Sequence, residues 1–279
     1  MRLPHYEFSA NSPDKHEQHS HANKANYMKE IPLNERIIFA LDFADPDTAR
    51  SWVRKLDGRT GFFKVGLQLF LAGGWSMVDY ITGRGNRVML DLKFFDIPAT
   101  VQRAVEQLNN HGVTFATVHG NDPVIRAAIQ GRGDVRILAV TVLTSFDESD
   151  MREMGFAGDV AELVRIRAKK ALELGCDGIV SSPLEAAALR KKFGSGFFIV
   201  TPGIRPGLNR DTETDDQRRI ATAKQAIMDG ADHVVIGRPI SRADEPLKMV
   251  DSIQKEIEEA LCQRCSKIGS PMTSRKDET

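Results

Sequence analysis

The chain has no excess charge of either sign: 38 Lys and Arg residues balance 38 Asp and Glu over 279 positions. It is therefore not built to hold nucleic acid or an anionic membrane through bulk electrostatics, although a local basic pocket for a small anion is compatible with it. Cysteine is scarce. Cys176, Cys262 and Cys265 cannot build a disulfide framework, which fits a reducing compartment. The sequence contains no apolar run of the length needed to cross a bilayer, about 18 residues. Its polar N-terminal stretch also lacks the apolar core of a signal peptide. The expectation is a soluble cytoplasmic protein with neither nucleic acid nor membrane as partner. Material for a core is present: 41% of the residues are hydrophobic, which excludes wholesale disorder. The length suits one large domain or two ordinary ones.

Residues 1–31 are polar, charged and without periodicity, and read as a disordered extension despite the clustered His16, His19 and His21. Residues 262–279 read as a flexible tail. Cys262 and Cys265 there form a CxxC with no second pair and no strand-turn-helix context, which zinc and redox motifs require. Between the tails, over 32–261, β-branched and aromatic runs begin near Ile37, Phe62, Val88, Thr114, Arg136, Asp177, Phe197 and Asp232. Amphipathic stretches separate them. Ala49, Trp52, Val53 and Leu56 follow the spacing of one helical face, as do Val101, Ala104, Val105 and Leu108. Eight strands alternating with helices predict a parallel sheet with right-handed crossovers. In a chain of this length they predict a single-domain (β/α)8, or TIM, barrel. The alternative is an open doubly wound sheet. It would carry a glycine fingerprint after the first strand, where Phe43-Ala44-Asp45-Pro46 stands instead.

Buried parallel strands should be apolar throughout, yet Asp42, Lys64, Asp91 and Lys93 fall at or near strand C-terminal ends. Strand alternation puts Asp91 and Lys93 on one face and Leu90 and Leu92 on the other. The leucine face must meet the helices, so the charges point into the barrel, and the same parity turns Asp42 and Lys64 inward. A structural plug of ion pairs is the alternative, but buried pairs stabilise poorly against apolar packing. Charges converging at the face where barrels carry active sites favour chemistry. Asp96, before Pro98, reads alone as a helix N-cap; with Asp91 and Lys93 it completes a D-x-K-x-x-D string. After the seventh strand comes Thr201-Pro202-Gly203-Ile204-Arg205-Pro206-Gly207, and after the eighth Ile236-Gly237-Arg238-Pro239. Loops at these two places commonly grip phosphate through backbone N–H groups, and arginine adds a planar fork for its oxygens.

These residues resemble the orotidine 5′-phosphate decarboxylase family, bacterial type, the last enzyme of UMP biosynthesis. The matching stretches are ALDF at 40–43, FKVGLQLF at 63–70, DLKFFDIPAT at 91–100, VTVLTS at 140–145, TPGIRP at 201–206, DQRR at 216–219 and VIGRPI at 235–240. The resemblance implies a decarboxylase without metal or organic cofactor, in which Lys93 protonates C6 as carbon dioxide leaves. It implies that Asp91 sits near the substrate carboxylate and holds Lys93, and that Lys64 and Asp42 meet the ribose. Thr144 and Ser145 match the segment against the pyrimidine. Pro202 opens a loop running to Gln217 that closes over phosphate, and Arg205, Gln217, Gly237 and Arg238 match the phosphate binders. Asp96 and Thr100 are implied to reach the active site of a second subunit, so a homodimer is expected. Phe95 and Ala99 depart from the His and Asn often found at those positions, leaving the charged positions intact. A magnesium-dependent phosphosugar decarboxylase or synthase of the same superfamily is the alternative, disfavoured by the cationic Lys64 where the metal's carboxylate would stand. A phosphosugar-binding barrel without chemistry is a further alternative, opposed by the intact charged set.

Overall fold

β-branched and aromatic residues favour extended backbone that packs on both faces, and the eight runs form eight parallel strands. In the computed structural model, which describes residues 31–156, 158–206 and 220–269, these are β1 (Ile37–Ala40), β2 (Phe62–Gly66), β3 (Arg87–Phe94), β4 (Phe115–His119), β5 (Arg136–Val140), β6 (Gly178–Val180), β7 (Phe198–Thr201) and β8 (His233–Ile236). Each pairs with its neighbour in sequence order. The ring closes through β1 and β8, with Ile37, Ile38 and Phe39 opposite Val234, Val235 and Ile236. The expected barrel is thus the observed architecture.

Alternation divides the strand side chains between two cores. The outward set, including Phe39, Phe63, Val65, Leu90, Ile137 and Ile199, packs against the helices. The inward set, including Ile38, Ala40, Phe62, Met89, Phe115, Leu138 and Phe198, fills the barrel. Toward its N-terminal end Phe62, Phe115 and Phe198 surround His233. Gly178 makes room for this layer, because a Cβ there would lie 2.5 Å from the Phe198 carbonyl oxygen. At the starts of β6 and β8 lie two buried carboxylates, paired with Arg132 and Arg190 respectively. Asp177 and Asp232 also accept the backbone N–H groups of Ile137 and Ile199. Those pairs tie strand beginnings together, away from the end that carries the site.

Both expected domain boundaries shift. Ile31 is buried with the inward core, so the barrel takes in the last residue assigned to the extension; residues 1–30 lie outside the described set. At the other end the helix Pro246–Gly269 runs through Cys262, where a flexible tail was expected. Its apolar face of Val250, Ile253, Ile257 and Ala260 docks on the barrel, and Arg264 continues the docking by donating to the Ile227 carbonyl at 2.8 Å. Among the described residues no helix is long and apolar enough to cross a membrane.

Candidate active site

The barrel's C-terminal mouth opens into a cavity of about 270 Å³. Asp42, Lys64, Asp91 and Lys93 line one part of it; Thr144, Ser145, Pro202, Arg205, Gly237 and Arg238 also line it. Of the residues singled out in the sequence, the structure therefore brings ten into one space. Gln217 lies outside the described residues. Asp96 and Thr100 are exposed and are not among the lining residues. The N-cap reading of Asp96 does not hold: the helix Pro98–Glu106 is capped by Ile97 without a side-chain bond. The Asp96 carboxylate instead accepts from the Ile97 N–H at 2.6 Å.

The four charges alternate in sign along the mouth. Lys64 Nζ donates to Asp42 Oδ1 at 2.8 Å and stands 3.8 Å from Asp91 Oδ2, which also accepts from Lys93 Nζ at 3.0 Å. Lys64 and Asp91 are 12% and 13% exposed, whereas Asp42 and Lys93 are 58% and 30% exposed, so the middle of the array is dry and its two ends are wetter. Burial pushes the Asp91 carboxyl up. The two lysines beside it, with the Lys93 and Thr117 hydrogen bonds, outweigh that push and hold it below the ordinary carboxylate range. Among the described residues no three His, Cys, Asp or Glu side chains converge to hold a metal ion. The place between the Asp42 and Asp91 carboxylates is taken by the Lys64 ammonium.

Lys93 holds an unusual backbone. Its φ is 49°, and among the described residues no other non-glycine has positive φ; for a side chain with a Cβ this costs on the order of 1–3 kcal/mol. The register between β3 and β4 shifts here, from Leu90 opposite Ala116 to Phe94 opposite Val118. Thr117, buried in β4, accepts the Lys93 N–H at 3.0 Å and donates to Asp91 Oδ1 at 2.8 Å.

The remaining wall is apolar, with Ala40, Met89, Val140, Val142, Val180 and Val235. Strand parity places most of these inward, so they were readable from the sequence. Thr117 was not, because a threonine in TFATVH is ordinary strand material. Ser181 also escaped notice; it lines the cavity and donates to the buried Glu185 at 3.1 Å. A side chain at Gly237 would crowd the first strand, since a Cβ there would lie 3.1 Å from Ala40 Cβ. Phe95, one of the two departures, is 63% exposed and packs edge-on against His119.

The model of the orotidine 5′-phosphate decarboxylase / HUMPS family matches residues 35–253, which includes every strand of the barrel. The chain belongs to this family. Orotidine 5′-phosphate decarboxylase of Methylococcus capsulatus is 47% identical over 234 residues, covering 84% of this chain and 96% of its own length. That of Bradyrhizobium diazoefficiens is 45% identical, covering 83% and 98%. Among solved structures, the orotidine 5′-phosphate decarboxylase of Lactobacillus acidophilus superposes with a TM-score of 0.70 at 35% identity, covering 80% of this chain and 99% of that one. The family match spans both the charged array and the Gly237-Arg238 turn, so the site belongs to the shared part of the fold.

Proposed function

We propose that the cavity binds orotidine 5′-phosphate and converts it to UMP and carbon dioxide, the closing step of de novo pyrimidine synthesis, without metal or organic cofactor. One observation carries this reading. An alternating Asp42–Lys64–Asp91–Lys93 array shares a small, half-apolar cavity with two arginine-bearing loops. The reaction needs a fixed positive charge and a proton where a carbanion develops, and a grip remote from the reacting carbon. When the C6–carboxylate bond breaks, its electron pair stays on C6 and carbon dioxide departs. Lys93 then gives C6 a proton from Nζ, and solvent restores the ammonium. Asp91 holds Lys93 in place through the 3.0 Å bond. Lys64 and Asp42 take the ribose hydroxyls, and Thr144 with Ser145 faces the pyrimidine. Pro202, Arg205, Gly237 and Arg238, joined by Gln217, take the phosphate, whose binding energy orients the remote ring.

A homodimer completes the site in this proposal. Asp96 and Thr100 belong to an exposed segment, 95–100, whose Phe95 and Ile97 are 63% and 66% exposed. Such apolar surface favours a partner, and a second copy would bring Asp96 and Thr100 to its neighbour's mouth. The magnesium-dependent alternative is not favoured, since a cation already bridges the carboxylates. The cytoplasm is the proposed location, supported by a cysteine content too low for a disulfide framework.

The test is direct. The purified chain, given orotidine 5′-phosphate in EDTA, should bleach the orotate absorbance and release UMP. An unchanged spectrum, or turnover that needs added magnesium, would refute the proposal.

A further inference from the structure

We propose that Thr117 is a positioning residue for the proton donor: its hydroxyl fixes both the Asp91 carboxylate and the left-handed backbone of Lys93, and so aims the ammonium. The inference rests on the decarboxylase reading of the site. β3 and β4 are in register up to Leu90 and Ala116 and again at Phe94 and Val118. Between those points three residues of β3, Asp91-Leu92-Lys93, face Thr117 alone. Irregularities of this kind re-aim a side chain and break the ladder of backbone bonds. The displaced Lys93 N–H finds the Thr117 hydroxyl oxygen as its acceptor, at 3.0 Å.

A hydroxyl has one proton to give. With the Lys93 N–H directed at its oxygen, that proton goes to Asp91 Oδ1 at 2.8 Å. The other carboxylate oxygen, Oδ2, accepts from Lys93 Nζ at 3.0 Å. The bonds close a ring that leaves residue 93 through its backbone N–H and returns through its ammonium. Thr117 is fully buried and is not among the residues lining the cavity, so any effect on turnover passes through Asp91 and Lys93. Space-filling alone would be met equally well by valine, which has the same shape. Valine would leave a buried carboxylate oxygen without its donor and a strained backbone N–H without its acceptor.

Thr117→Val and Thr117→Ser test this against the wild-type chain. In Thr117→Val, kcat for orotidine 5′-phosphate should fall about 10- to 100-fold, the size expected for one bond to a charged group. KM should stay within about threefold, because the lost interaction serves the donor and not ground-state binding. The acid limb of kcat should move to higher pH, since Asp91 loses a hydrogen bond that favours its charged form. Thr117→Ser should recover most of kcat and the wild-type pH profile. A crystal structure of Thr117→Val should show Lys93 out of the left-handed region and Nζ drawn away from Asp91. Wild-type kcat and pH profile in Thr117→Val, or equal damage in both variants, would overturn the proposal. Retention of φ near 49° and of the Lys93–Asp91 bond in Thr117→Val would overturn it too, whatever the turnover. If the variant's structure relaxes as expected while the wild-type chain leaves orotidine 5′-phosphate unchanged, the positioning geometry stands and the decarboxylase reading falls.

Discussion

The most exacting prediction concerns acid and His233. Its ring lies 5.4 Å from those of Phe62 and Phe115 and 6.0 Å from that of Phe198. Nδ1 is 2.8 Å from the Glu35 carbonyl oxygen. A carbonyl only accepts, so Nδ1 carries the proton, and Nε2, buried without a hydrogen-bond partner among the described residues, keeps a bare lone pair. A second proton there would have nothing to bond to. Burial foremost, with repulsion from Arg36, Arg87 and Arg136, pushes the ring's pKa from 6.5 down to about 3, against the contrary pull of the Glu35 carbonyl. The unfolded chain takes up that proton near pH 6.5 and the folded chain only near 3. The neutral ring's contribution to stability is therefore whole above the unfolded value and is lost as pH falls toward the folded one. At 1.36 kcal/mol per unit, the loss by pH 4 is about 3 kcal/mol. His233→Met keeps similar bulk and cannot titrate. Urea unfolding of both proteins, followed by the fluorescence of Trp52 and Trp75, gives their stability difference at pH 7 and at pH 4. Packing changes and all other titrating groups cancel in that comparison, so acidification should shift the difference about 3 kcal/mol in the variant's favour. A difference constant to within about 0.5 kcal/mol would refute the reasoning, because it would mean the charged ring is accommodated.

Three further outcomes bear on the site. Lys93→Ala should lower kcat by at least about 100-fold, the lower range for a lost general acid. Calorimetry should still detect UMP binding, and loss of turnover only in proportion to lost binding would remove the donor role. Arg238→Ala should weaken UMP about 10- to 100-fold and leave uridine within about threefold, as expected for one charged contact to phosphate; equal losses for both ligands would cancel the phosphate assignment. Mixed and exchanged Asp96→Asn and Lys93→Ala subunits should regain about a quarter of wild-type activity, since random exchange makes half the dimers mixed and each has one intact site. Activity that never returns on mixing would exclude a shared site.

The fold was legible because the strand runs are short, apolar and separated by amphipathic stretches, and observed strands begin within one residue of the expected ones. Parity carried the argument further: Leu90 packs outward and Asp91 lines the cavity, as alternation requires. Parity also turns Lys93 inward, where it lines the cavity, but no propensity in DLKF announces its left-handed backbone or the register shift beside it. Thr117 was invisible for a related reason, since its importance comes from what β3 does opposite it. The continuation of the last helix past Cys262 was missed because QRCSK lacks an apolar stripe. Among the described side chains there, Arg264 docks it by reaching the Ile227 carbonyl, a bond that leaves no periodic trace. Asp96 looked like a cap because Asp before Pro often is one, but here the chain bends one residue later, at Ile97.

The seam between β1 and β8 has a consequence for synthesis. Asp42 enters the ring near its beginning and Gly237-Arg238 near its end, and they become neighbours only when Ile37–Phe39 pairs with Val234–Ile236. A nascent chain still short of its eighth strand holds every residue of the charged array but no place to seat a nucleotide. The nucleotide seat should therefore form late and at once, when the last strand joins the first, and only a chain closed in this way can complete a site with a second subunit.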